Sequence, residues 1–216
     1  MMTNLFSTFD PSTGNLSLNW ISSMILLLMV NYNYWVSLNN TTNLVMKIFN
    51  YMKEELTIIM SKSGSSIMFL SMSIFILINN LMGLMPYIFT SSSHLTFSLA
   101  LALPMWVAFM MYGWINKTNS MFTHLVPMGT PSILMPFMVL IETISNLIRP
   151  GSLAVRLTSN MIAGHLLMAL LGNNCNLITT MILMIIFIML MLFETAVSLI
   201  QSYVFMILTT LYSSEI

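Results

Sequence analysis

The sequence predicts an all-α, polytopic membrane protein with about five membrane helices, one amphipathic surface helix and a long, tilted C-terminal hairpin. Three observations carry this. Apolar residues make up 57% of the 216 and charged residues 6%, against roughly 25% charged in a soluble domain, so the chain cannot cover an aqueous surface with charge. The apolar residues gather in runs long enough to cross the ~30 Å hydrocarbon core of a bilayer. The last two runs are far longer than one crossing needs. With no linker-like stretch, residues 1–216 read as a single membrane domain.

The elements follow in order. Leu16 to Val36 carries no charge and has Trp20 and Trp35 towards its ends, where interfacial anchors belong; it is expected to be the first span, residues 16–36. In residues 43–61, Val45, Phe49, Met52, Leu56 and Ile59 fall on one helical stripe and Lys47, Asn50, Glu54 and Thr57 on another. That is an amphipathic helix, either flat on the membrane or an ordinary surface-loop helix. Residues 67–85 form the second span, closed by Pro86; Asn79, Asn80 and Gly83 near its end are read as helix contacts. Residues 95–115 form the third, with Pro104 as a tolerated kink.

Residues 132–171 and 177–211 are the long runs, joined by the turn signal "GNNCN". As straight helices they would reach roughly 50–60 Å, which an ordinary ~20° tilt does not absorb. Either they break, for instance at Pro150-Gly151, or they form a steeply tilted hairpin against something long and curved. Lys47, Lys53, Lys62 and Lys117 fall on one side of this arrangement. The positive-inside rule then puts them and the C-terminus inside and the N-terminus outside.

Composition also excludes functions. With 6 Lys+Arg and 6 Asp+Glu the net charge is zero, which is no footprint for nucleic acid. The single Cys175 allows no intrachain disulfide and no cysteine metal cage. His94, His124 and His165 lack metal or haem spacing, and no nucleophile elbow, phosphate loop or dinucleotide fingerprint is present. "THLVPMGTP", residues 123–131, reads as a turn without chemistry. The N-terminus has neither a basic leader nor an Arg-rich presequence, so no import or export signal is expected. The 25 Met residues fit a code that reads Ile-like codons as Met, as in animal mitochondria.

Against this background the ionisable residues inside apolar runs stand out: Glu142, Arg149, Arg156 and Glu194. Each costs about 2.5–3.5 kcal/mol on insertion scales, which makes it a functional candidate by default. Glu142, Asn146, Arg149, Leu153, Arg156, Asn160, Ala163 and Leu167 recur at steps of four and three, one expected helix face. His165 lies nine residues past Arg156, about 180° away and ~13.5 Å along. Glu194, Ser198 and Gln201 form a second polar face that the hairpin turn brings towards Arg156 and His165. A carboxylate, an imidazole and amides on facing helices can relay protons. Arg156 cannot, because it never loses its charge; it can only block, or attract an anion. Bland readings stand beside these: Arg149 and Arg156 snorkelling, His165 packing, and the two carboxylates pairing with an arginine.

The segments "ETISNLIRPGSLAVRL", "LAVRLTSNMIAGHLL" and "FETAVSLIQSYVF" resemble the a subunit of F-type ATP synthase in its mitochondrial form (subunit 6). "NNLMGLMPYIFTSSSHLTFSLALALPMW", "HLVPMGTP" and "MTNLFSTFD" extend the resemblance over nearly the whole chain. It implies a multi-pass protein of the mitochondrial inner membrane, without catalysis or cofactor of its own, whose tilted hairpin hugs a rotating ring of c subunits. The ring, other membrane-sector and peripheral-stalk subunits and the lipid bilayer are the implied partners. Arg156 matches the family's arginine facing the ring carboxylate. His165 and Glu194 match the half-channel open to the intermembrane space, and Glu142 a carboxylate of the matrix half-channel. Asn160 and Gln201 match polar residues flanking the arginine. Ser159 where the family has Ala, Met128 where it has Gln, Arg149 where Gln is common, and a short hairpin turn depart from the pattern. Two other classes remain open from sequence: a secondary transporter whose buried Arg binds an anionic substrate, for which no repeat is visible, and a structural subunit of a respiratory complex.

Overall fold

The structure, a computed structural model, describes residues 5–24, 39–60, 63–126, 131–173 and 180–214. Among these residues the chain is all-helical and has no strand. Six α-helices follow one another: α1 Asn40–Ile59, α2 Ser63–Gly83, α3 Leu95–Asn116, α4 Thr118–His124, α5 Met135–Asn173 and α6 Thr180–Ser214. Short 3-10 turns cover Leu5–Phe9, Leu18–Met24 and Ser91–Ser93. Helices α2, α3, α5 and α6 are each long and apolar enough to cross a membrane.

The expected first span is corrected over its opening residues. Leu18–Met24 is a 3-10 turn, not the start of an α-helix. Its polar side chains bond to neighbouring loops: Asn19 Nδ2 donates to the Asp10 carbonyl at 3.3 Å and Ser22 Oγ to the Phe89 carbonyl at 3.3 Å. Trp20, expected as an interfacial anchor, packs on Phe89 and His94. Residues 25–36 of that span lie outside the described residues, as do the "GNNCN" turn from residue 174 on and Met128.

Helix α1 carries the two predicted stripes. Lys47, Asn50, Glu54 and Thr57 are exposed, whereas Leu56 is fully buried and Phe49, Met52 and Ile59 are half-buried. Val45, near the N-terminal end, stays exposed. The helix packs against α2 and α6, and the Tyr203 hydroxyl of α6 donates to Glu55 Oε2 at 3.0 Å. Met60, Lys117 and Ser213 share one cleft. The lysine-bearing end of α3 and the C-terminal end of α6 therefore lie together. Leu5–Phe9 lies at the other end, beside His94 and His165.

The two long helices do not break. Helix α5 runs 39 residues through Pro150-Gly151 and α6 runs 35, so at 1.5 Å per residue they reach roughly 58 and 52 Å. Of the two readings open from sequence, the break at Pro150-Gly151 is not observed, and each helix runs unbroken. Pro150 has no N–H to offer the Asn146 carbonyl four residues back, and the helix absorbs that loss with Pro150 buried.

The bundle is two pairs, α2 with α6 and α3 with α5, joined through α5 and α6. One apolar cluster takes a residue or more from each of the four: Ile76, Ala102, Leu153, Ala154, Leu157 and Phe205. A second, Leu56, Phe69, Met105 and Met206, ties in α1. Small hydroxyl residues fill much of the remaining interior, with Ser66 and Ser73 on α2 and Ser198 and Ser202 on α6 all buried. In lipid, where apolar burial drives little association, small side chains let helices approach closely. Ser73, Ser198 and Ser202 return their hydroxyls to carbonyls three residues back, at 2.7–2.8 Å. Their smallness, not their polarity, therefore serves the packing. Ser202→Ala is expected to be near neutral, and Ser202→Leu to cost about 1–3 kcal/mol by overpacking. Thermal inactivation of the assembled complex carrying each variant separates the two, and equal midpoints would remove the steric account.

Candidate functional site

Helix α6 turns Glu194 into the bundle, where it is 9% exposed. Glycine makes room for it. A Cβ on Gly164 of α5 would sit 2.6 Å from Cδ and Oε1 of Glu194, closer than such atoms approach. The carboxylate thus lies against the α5 backbone, one residue before His165. Both Glu194 oxygens and His165 Nε2 are buried without a hydrogen-bond partner among the described residues. So are both side-chain polar atoms of Asn80 on α2 and the hydroxyl of Ser92. An unpartnered polar group away from water costs about 1–3 kcal/mol. Several in one bundle mark an interior suited to water and protons rather than to packing alone.

His165 also lines a cavity of about 780 Å³. Its other walls come from the N-terminal segment, the turn after α2 and the side chains Phe187 and Met191 of α6. The ring of Phe9 meets the imidazole edge-on, centroids 6.1 Å apart. Gly83 keeps the α2 end close to Thr90, whose Cγ2 would lie 3.2 Å from an added Cβ.

A second cavity, about 270 Å³, lies towards the other end of α5. Glu142, Asn146 and Arg149 face it together with His124 and Tyr212. Arg149 Nη2 pairs with Glu142 Oε1 at 3.5 Å, and its guanidinium lies over the Tyr212 ring at 5.1 Å. The pairing of Glu142 with an arginine, one of the bland readings, is therefore present.

Arg156 lies between the two cavities along α5. Seven residues separate it from Arg149 and nine from His165, about 10.5 and 13.5 Å of rise. Its side chain is exposed on the outside of the bundle and makes no ion pair among the described residues. Ala163 and Leu167 are exposed with it and Asn160 is half-buried, while His165 is half-buried towards its cavity. Leu153 is a correction to the expected stripe. At 5% exposure it belongs to the core, because it stands about 60° round the helix from Arg156 and the bundle boundary passes between them. On α6 the buried line runs from Glu194 through Ser198 to Ser202, leaving Gln201 half-buried at its edge.

Sequence reasoning missed several of these residues. The sequence reads Asn80 as a packing residue and His124 as part of an inert turn, and gives no sign of Gly164 or Ser92. Paired amides inside an apolar run were the available signal for Asn80. Nothing local marks Gly164, whose reason is the side chain of a distant helix.

A bundle with four helices of membrane-spanning length and titratable groups beside cavities towards its two ends fits a multi-pass membrane protein of the ion-translocating class. The family described as "ATP synthase A chain" matches residues 16–214. Relatives named ATP synthase subunit a include those of Anopheles quadrimaculatus, 55% identical over 225 residues, and Drosophila melanogaster, 56% identical over 223. That of Locusta migratoria is 55% identical over 224 residues, and in all three cases the whole of both chains is covered. The chain belongs to the ATP synthase A chain family. It is a proton-translocating subunit of the membrane sector, and the secondary-transporter reading is not favoured.

The contact at Gly164 generates a stability prediction. Gly164→Ala is expected to cost about 1–3 kcal/mol, because the Cβ must displace the Glu194 carboxyl. Adding Glu194→Asp, which withdraws the carboxyl by one methylene, should recover most of it. A double-mutant cycle on the thermal midpoint of the assembled complex measures the coupling, and strict additivity would show that the two residues do not touch.

Proposed function

We propose that this chain is the stator half of a rotary proton device, passing protons to and from a ring of c subunits through two half-channels that do not meet. The observation that carries the reading is the order along α5: a cavity with Glu142, then outward-facing Arg156, then a cavity with His165 beside buried Glu194. Residues 1–216 act as one membrane domain in the mitochondrial inner membrane, without catalysis or cofactor of their own. Other membrane-sector and peripheral-stalk subunits cover parts of the surface, and lipid covers more.

A proton enters from the intermembrane space by the larger cavity and moves through His165 and Glu194 to a ring carboxylate. Once neutral, that carboxylate can rotate into lipid. After nearly a full turn it reaches the smaller cavity and releases its proton near Glu142 towards the matrix. The membrane potential supplies about 2.3 kcal/mol per charge per 100 mV. Arg156 separates the two routes. It favours the ionised form of each passing carboxylate, and it repels a proton trying to cross directly, by roughly 4 kcal/mol at 4 Å for an effective dielectric of about 20. Asn160 and Gln201 flank it with amides that keep no charge. The exposed line Arg156, Ala163, Leu167 supports this face as the one turned to the ring, since small Ala163 allows close approach.

Arg156→Ala should abolish proton-driven ATP synthesis while passive proton leak through the assembled membrane sector persists or rises. Arg156→Lys should fail as well, because a desolvated lysine can give up its proton. ATP yield and proton flux in vesicles holding the assembled complex are the measurements, and near-normal yield per proton in Arg156→Ala would remove the barrier role. Glu194→Gln should slow synthesis without preventing assembly. Normal rates in an assembled Glu194→Gln complex would take Glu194 off the path.

A further inference from the structure

We propose that Asp10 is the proton-collecting carboxylate at the mouth of the larger cavity, whose wall it shares with His165, and that a cluster of aromatic rings fixes its loop. The proposal rests on the reading of that cavity as the intermembrane-space half-channel. Asp10 is exposed and lines the cavity whose wall includes His165, and it is the one carboxylate among the described residues that does so. The other titratable groups facing the cavity are Tyr87 and His165. No lysine or arginine among the described residues lines it, so among those residues the cavity wall carries the negative charge of Asp10 without a cationic side chain.

Its position is built rather than incidental. Phe9, the neighbour of Asp10, sets its ring against His165, and its carbonyl bonds His94 Nε2 at 2.9 Å. The His94 ring lies 5.1 Å from Trp20 and 5.3 Å from Phe89. Asn19 Nδ2 donates to the Asp10 carbonyl at 3.3 Å, closing the loop from Asp10 to Asn19 on itself. The Ser12 N–H, 3.0 Å from Asp10 Oδ1, holds the Asp10 carboxyl below its ordinary range. Asp10 is thus ionised at neutral pH and returns a captured proton quickly. His94, which touches Asp10 only through Phe9, is a positioning residue.

Scarcity of protons gives such a group its use. Even at the upper diffusion limit of roughly 10¹⁰ M⁻¹s⁻¹, free protons at about 10⁻⁷ M at neutral pH reach one site only about 10³ times per second. A fixed negative charge at the mouth of a low-dielectric cleft raises that arrival rate by focusing the field. It matters most when the outward phase is alkaline and weakly buffered, and least when buffer molecules carry protons to the mouth.

The test uses the intact complex reconstituted in vesicles with the outward face in a controlled medium and synthesis driven by an imposed potential. Asp10→Asn should lower the rate about three-fold or more at alkaline outward pH and low buffer. The deficit should close on acidification or on addition of a mobile buffer. Asp10→Glu, which keeps the charge, should behave as the parent. A rate for Asp10→Asn equal to the parent's at alkaline pH and low buffer would overturn the proposal. So would a deficit that neither acid nor buffer repairs, or a Glu variant as slow as the Asn variant. Glu194→Gln serves as the reference: its deficit should persist at every pH and buffer strength. Parental rates there would overturn the half-channel reading itself, whatever Asp10 does.

Discussion

One close contact governs the bundle next to His165: that of the Glu194 carboxyl with Gly164. A carboxylate in the interior of a membrane bundle must be let in between helices that otherwise close on small side chains. Glycine at one position on α5 provides that room. Because His165 is the next residue, the same contact sets an imidazole one position along α5 from the acid's resting place. Replacing the glycine by any larger residue forces a choice between helix spacing and the acid, and neither can yield without moving the other. Small Ser198 and Ser202 continue the close approach along α6 below Glu194.

The length of α5 then spaces the charged and titratable groups along the bundle. One unbroken helix of 39 residues carries Glu142 and Arg149 towards one end, Arg156 in the middle and His165 towards the other. A shorter helix could not hold both cavities and keep a turn and a half or more of polypeptide between each and the central cation. Pro150 within the run frees the carbonyl of Asn146, a residue that faces the smaller cavity. A proline that would weaken an ordinary helix here leaves a backbone acceptor near the polar groups of that cavity.

Much of this was legible in the sequence because charge at bilayer depth is costly enough to be conspicuous. Arg156, Glu194 and Glu142 stand out for that reason alone, and His165 follows from them by helical arithmetic. The long hairpin was legible from run length, although length could not decide between a break and a tilt. What escaped reading depends on distant partners. Gly164 is an unremarkable glycine until Glu194 arrives beside it, and Asn80 looks like any amide at a helix contact until both its polar atoms prove to be unpartnered. Leu153 shares the spacing of the Arg156 stripe yet lies in the core, because steps of three and four tolerate a spread wide enough to straddle a packing boundary. The opening of the first expected span failed differently. Hydropathy measures the apolar run but not the loops that Asn19 and Ser22 find to bond.

The ties between α5, α6 and α1 bear on mechanics as well as on chemistry. Arg149 near the base of α5 lies over Tyr212 near the end of α6, and Tyr203 of α6 is tethered to Glu55 of α1. A sideways push on the outer face of α5 is therefore not borne by α5 alone. It passes into α6 and from there into a helix lying outside the bundle's central cluster, which lengthens the lever arm opposing it. Two polar contacts on aromatic side chains make that path, close to the lysine-bearing end and clear of the buried acid.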